Sequence, residues 1–138
     1  MGIQIIYFRD EKGKEPVSEW LDRLSEKIKA KCTFGIDRLE QMGYELRRPE
    51  AAPLQKGINE LRIVCEGNQY RILYGFHEGN VILLHGMLKR ERVTLKEIDL
   101  AVKRLTIFRE QTHTPRVKTG VSNGNGKRRK KTCQAFFR

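Results

Sequence analysis

From residue 3 to residue 8 the chain is almost continuously apolar and isoleucine-rich, with Ile3, Ile5, Ile6, Tyr7 and Phe8. Such a run predicts a short buried strand. The period then lengthens. Val17, Trp20, Leu21, Leu24 and Ile28 recur at the spacing of one helix face, behind Pro16. Proline suits the first helical position, where the N–H has no intrahelical partner. Cys32, Ile36, Leu39 and Met42 continue as a second helix, and Gly43 is a natural stop. The two predict a helical hairpin whose stripes are core, so neither Trp20 nor Cys32 is given a functional role.

Beyond residue 58 the period drops to two. Strands are predicted over 59–65, 69–77 and 81–88, separated by Glu66-Gly67-Asn68 and Glu78-Gly79-Asn80, which are hairpin-turn sequences. Leu61, Ile63 and Cys65 alternate, as do Tyr70, Ile72, Tyr74 and Phe76. These two sets predict the sheet face that packs on the helices. Thr94-Leu95-Lys96-Glu97 is a capping box, opening a last helix with Leu95, Ile98, Val102 and Leu105 on its stripe. The expected class is therefore α+β, in the order β-α-α-β-β-β-α. Its sheet is small, mainly antiparallel and packed on a helical hairpin.

Composition adds one asymmetry. The 138 residues, 38 % hydrophobic and 33 % charged, suit a single domain with a large polar surface. The formal net charge is +11, yet no Asp or Glu follows Glu110, while eight Lys or Arg do. The stretch after residue 111 has no periodicity and leads into Lys127-Arg128-Arg129-Lys130-Lys131. Such runs are solubilising extensions or arms that bind polyanions. The expected division is a domain over 1–111 and a basic tail over 112–138. No apolar run approaches the ~20 residues of a membrane span, and the start lacks a signal-peptide pattern. Cys32, Cys65 and Cys133 have no paired spacing. The expected location is the cytoplasm.

The informative cations lie on the other face of the meander. If Gly67-Asn68 is a two-residue loop, Arg62 and Arg71 are diagonal neighbours there. Without a bulge, the even positions of the third strand join them, and Arg90 follows Leu88 toward the same surface. Lys56 lies just before the meander. Converging arginines require an anion or neutralising carboxylates. Glu60 and Glu66 have the parity to supply the latter, so an ion-paired face and a phosphate site are both open. His77 reads as exposed beside its turn, and His85 as a core or edge histidine rather than a ligand. The chain has no HExxH, CxxC, glycine-rich phosphate loop or GxSxG. No metal and no cofactor is expected, and any catalysis would be driven by cations.

The series Leu54-Gln55-Lys56-Gly57-Ile58-Asn59-Glu60-Leu61-Arg62, Tyr70-Arg71-Ile72-Leu73-Tyr74 and Leu83-Leu84-His85-Gly86-Met87-Leu88-Lys89-Arg90 resembles the phage-derived HigB-type toxins of the RelE/ParE superfamily. Ile98-Asp99-Leu100-Ala101-Val102-Lys103-Arg104 fits the same pattern, and the resemblance covers roughly residues 3–110. It implies a RelE-like fold and the toxin of a type II toxin–antitoxin system. Such a toxin is a ribosome-dependent endoribonuclease that cuts mRNA in the ribosomal A site and so inhibits translation. It also implies a cognate helix-turn-helix antitoxin of the HigA type.

The implied catalytic positions are Arg71, Arg90, Arg62 and Lys56, with Lys89, Arg92 and Lys96 as RNA contacts. The implied reaction is attack by the substrate's own 2′-hydroxyl, leaving a 2′,3′-cyclic phosphate, with the arginines gripping the phosphate and Lys56 a candidate base. Some mRNA-cutting relatives carry a tyrosine or histidine on or near the last helix, whereas Val93-Thr94-Leu95-Lys96 has neither. Two other readings stay open. One is a non-enzymatic, gyrase-inhibiting toxin on the same scaffold. The other is a nucleic-acid-binding module acting through Lys127, Arg128, Arg129, Lys130 and Lys131.

Overall fold

The computed structural model describes residues 3–89 and 92–113. Strand β1 (Ile5–Tyr7) leads to helices α1 (Pro16–Asp22) and α2 (Glu26–Met42), and a 3₁₀ turn over Gly43–Glu45 follows. Strands β2 (Ala51–Pro53), β3 (Asn59–Cys65), β4 (Asn68–His77) and β5 (Asn80–Lys89) come next, and helix α3 (Leu95–His113) closes the order. The protein is α+β, as its periodicities predict. The short strand β2 adds one element to the expected order. The sheet runs β1-β5-β4-β3-β2, with β1 parallel to β5 and every other pair antiparallel.

Local chemistry explains most boundaries. Pro16 starts α1, and the Ser25 side chain accepts the Ile28 N–H at the head of α2. That cap separates the helices at residues 23–25, so Ile28 belongs to α2 rather than to the first helix. Gly43, at φ +55°, ends α2. The meander's two hairpins turn on Glu66-Gly67 and Glu78-Gly79, whose four φ angles are all positive. Two successive positive φ values match the twist of the flanking strands.

The sheet has two covered faces. Leu61, Ile63, Cys65, Tyr70, Ile72 and Tyr74 pack with Val17, Leu21, Cys32, Ile36 and Leu39 of the helical hairpin. Helix α3 covers part of the opposite face, where Ile98, Ala101, Leu105 and Phe108 pack on Ile58, Leu73, Ile82 and Leu84. The stripe on α3 is thus shifted from the expected one, and Leu95 is 55 % exposed. The helix runs to His113, two residues past the expected boundary. Among the described residues no helix is long and apolar enough to cross a membrane.

Candidate active site on the open end of the sheet

Strand register builds the site. The tight Glu66-Gly67 loop, in place of Gly67-Asn68, sets Arg62 directly opposite Arg71 rather than diagonal to it. Parity is unchanged by this shift, so both still leave the tyrosine-bearing face. On β5 the expectation fails. Leu73 pairs with His85 but Tyr74 pairs with Leu83, so Leu84 is an extra residue in a β-bulge. From there on the odd positions of β5 share the arginine face. Gly86 and Leu88 turn to the helical-hairpin side, and Met87 and Lys89 come to the arginines instead. Arg104 of α3 donates to the Leu84 carbonyl at 2.8 Å, satisfying the bulge where the ladder cannot.

The result is three rows across β3, β4 and β5: Glu60, Leu73 and His85; Arg62, Arg71 and Met87; Val64, Gln69 and Lys89. Glu60 organises the middle row. Its Oε1 accepts from Arg71 Nε and its Oε2 from Arg62 Nε, both at 3.0 Å. Arg71 also donates to the Gln69 side chain at 2.7 Å and to the Tyr70 carbonyl at 3.2 Å. Glu60 and Arg71 are each 4 % exposed, whereas 28 % of the Arg62 side chain is open. Burial pulls the Arg71 guanidinium below its usual value, with Glu60 opposing and Arg62 assisting the shift. Of the two arginines, Arg62 is the one a phosphate can reach directly.

The other expected positions disperse. Lys56 sits in a turn at φ +59°, and its ammonium pairs with Asp99 of α3 at 2.8 Å. A carboxylate is its partner, so it is not a lysine crowded by arginines. Buried Ile58 lies between it and Glu60 along the chain. Glu66 pairs with Lys27 of α2 at 2.9 Å and does not neutralise the arginines. Lys89 is half-buried in the third row, while Arg92 and Lys96 are exposed around the start of α3. Arg90, and Lys127, Arg128, Arg129, Lys130 and Lys131 of the tail, lie outside the described residues. Tyr74 is on the core side, where burial pushes it up to about 12.

Sequence reasoning missed His85, because only the bulge brings it to this face. Its Nε2 is 3.9 Å from Glu97 Oε2, and the side chain is 20 % exposed. The other Glu97 oxygen accepts from the Thr94 hydroxyl at 3.0 Å and the Thr94 N–H at 3.2 Å. The capping box therefore fixes a carboxylate beside the ring. Burial lowers the imidazole's pKa, as does Arg104, and Glu97 opposes them. His77, expected to be exposed, is half-buried edge-on to Phe108, since α3 extends past it.

The shifted His85 ties stability to pH. Its folded pKa lies below the ordinary ~6.5, so near that pH the unfolded chain binds the proton more readily. Stability is full above ~6.5 and declines as pH falls toward the folded pKa. Melting of the wild type should drop between about pH 7.5 and 5.5 more steeply than that of His85→Gln. Parallel melting curves would refute it.

The part of the rows open to solvent is Arg62, Val64, Gln69 and Lys89 with one edge of His85, since Glu60, Leu73, Arg71 and Met87 are buried. Arg62 and Val64 also line a pocket of about 150 Å³ beside Phe34 and Arg38 of α2. A cavity of about 480 Å³ lies elsewhere, among Tyr44, Arg47, Arg48, Pro53 and Asn59, and none of the nine row residues lines it. An open, cation-bearing sheet end suits an extended anionic polymer better than an enclosed small molecule. Among the described residues no group of three or more His, Cys, Asp or Glu is placed to hold a metal ion.

Residues 19–106, which include all three rows and Glu97, match the family described as phage derived protein Gp49-like (DUF891), and the chain belongs to that family. The family is associated with RelE-type, toxin-like proteins. No curated protein matches the chain.

Proposed function

We propose that this protein is a HigB-type toxin with a RelE-like fold, a ribosome-dependent endoribonuclease that cuts mRNA in the cytoplasm and is neutralised by a helix-turn-helix antitoxin. Membership of a family compatible with toxins of toxin–antitoxin systems supports the class. The observation that carries the chemistry is the pair Arg62 and Arg71 held by one buried carboxylate at an open sheet end. Glu60 takes one charge of two and fixes both guanidinium groups, so a net cation is pre-aimed before substrate arrives. Preorganised donors of this kind stabilise the charge that develops on a phosphorane. Arg62 grips the phosphate, Arg71 positions Arg62 through Glu60, and Lys89, Arg92 and Lys96 continue the cationic track. The chain supplies no nucleophile, since the RNA's own 2′-hydroxyl attacks.

The test is induced expression of wild type beside Arg62→Ala, mapping the ends of a translated mRNA with translation running and blocked. Arg62 is preferred to Arg71 because removing Arg71 strips a buried carboxylate of its partner. New 5′ ends inside codons should need active translation and fall on the order of 100-fold in the variant. Growth arrest with intact mRNA in both would overturn the ribonuclease reading in favour of gyrase inhibition. A chain ending at His113 should keep its activity. Loss of all activity on that truncation would move the function to the basic tail.

A further inference from the structure

We propose that His85 is the general base of the cleavage site, taking the proton from the attacking 2′-hydroxyl. This rests on the ribonuclease reading above. Three placements converge on it. The bulge at Leu84 puts His85 on the arginine face, in the row of Glu60 and one row from Arg71. His85 and the buried Arg71 are a diagonal pair on adjacent strands, roughly 7–8 Å apart. Arg62, the arginine a phosphate can reach, lies one strand farther, so a bound phosphodiester would lie over the sheet between the ring and the Arg62 guanidinium. The first turn of α3 then sets the ring's orientation. Glu97, locked by Thr94, faces Nε2 at 3.9 Å, beyond hydrogen-bond distance, and its charge favours a proton on that nitrogen, with Nδ1 as the ring nitrogen turned away from the carboxylate. Among the described residues Nδ1 has no hydrogen-bond partner. Finally, the ring is one-fifth exposed, open enough to meet RNA yet shielded enough to hold a position.

The charged groups around it fit a base that is neutral before the reaction. Arg104 and Glu97 approach from α3; Arg71 and Glu60 face it across the sheet, and Lys89 lies two rows along β5. Burial and Arg104 disfavour the imidazolium in the resting protein. Glu97 is there to stabilise that cation once it forms. In the step itself the 2′-hydroxyl proton passes to Nδ1 as the 2′-oxygen bonds to phosphorus. The bond from phosphorus to the 5′-oxygen breaks, and that oxygen takes a proton from water. The imidazolium returns its proton to solvent, leaving a 2′,3′-cyclic phosphate and a 5′-hydroxyl end. His85 thereby fills the role for which the segment Val93-Thr94-Leu95-Lys96 has no tyrosine or histidine.

The experiment uses the full-length protein and ribosomes programmed with an mRNA codon in the A site, measuring single-turnover cleavage from about pH 5.5 to 8.5. Wild type, His85→Gln, His85→Ala and Arg62→Ala are compared, with melting curves for each. Wild-type rate should rise with pH and level off near neutrality. His85→Gln should lose on the order of 100-fold or more and lose the acid limb of the profile. Added imidazole should restore part of the His85→Ala rate. If Arg62→Ala is inactive while His85→Gln cuts within about threefold of wild type, the base assignment is wrong and the site reading stands. The base assignment is equally wrong if His85→Gln keeps the wild-type pH profile. If wild type leaves ribosome-bound mRNA uncut, both readings fall.

Discussion

Replacing Glu60 by alanine should cost about 3–5 kcal/mol, the range for removing one partner of a buried ion pair. For a domain near 110 residues that is a fall in melting temperature of roughly 15 °C. Glu60 is 4 % exposed and accepts from two guanidinium groups, one of them equally buried. Without it, Arg71 keeps its charge in a site that burial already makes unfavourable, facing Arg62 directly across the ladder. Like charges directly opposed on a sheet repel, and the desolvation cost of Arg71 is no longer offset. The double variant Glu60→Leu with Arg71→Met should recover most of the loss, because both buried charges go together. Arg62→Ala should cost far less, under about 1 kcal/mol, since its side chain is partly in water. Urea and thermal melts of the four proteins check this. A Glu60→Ala protein within about 1 kcal/mol of wild type would mean that water or a rearranged side chain replaces the carboxylate.

The periodic parts of the fold are plain in the sequence. Alternation at Leu61, Ile63 and Cys65 and at Tyr70, Ile72 and Tyr74 identifies the hairpin-facing side, because a strand's faces follow from parity alone. The shared face of Arg62 and Arg71 does not depend on which pair of residues forms the loop, since moving it from Gly67-Asn68 to Glu66-Gly67 changes the register by an even step. The bulge is not legible. Nothing in Val81 to Leu88 distinguishes a continuous strand from one carrying an extra Leu84, and that one residue exchanges Gly86 and Leu88 for His85, Met87 and Lys89. The partner of Lys56 is equally hidden. Asp99 lies 43 residues away in sequence, and their meeting depends on α3 crossing the arginine face rather than the helical hairpin. The capping box that marks a helix start also holds the carboxylate beside His85, a second use that sequence spacing does not announce.

Substituting Gly86 by valine should destabilise the protein by about 3 kcal/mol, at the upper end of what overpacking usually costs. Gly86 follows the bulge on the α1 side, and a Cβ there would drive into Cε3 and Cδ2 of Trp20. The indole is a rigid, partly buried ring on α1 that packs against the core, its centroid 6.4 Å from that of Tyr70. Close packing of β5 against α1 therefore requires the missing side chain at this position. A double-mutant cycle separates this from a general backbone effect. Trp20→Ala alone removes a partly buried ring packed on the core and should cost less than the ~3–5 kcal/mol of a fully buried one. In that background Gly86→Val should be milder by about 1–3 kcal/mol, because the clash is gone. Gly86→Val should also depress RNA cleavage more than its stability loss explains, since relieving the clash moves the strand carrying His85 and Met87. Additive costs in the cycle would show that valine strains β5 by itself, and the close approach of Trp20 would not be the reason for the glycine.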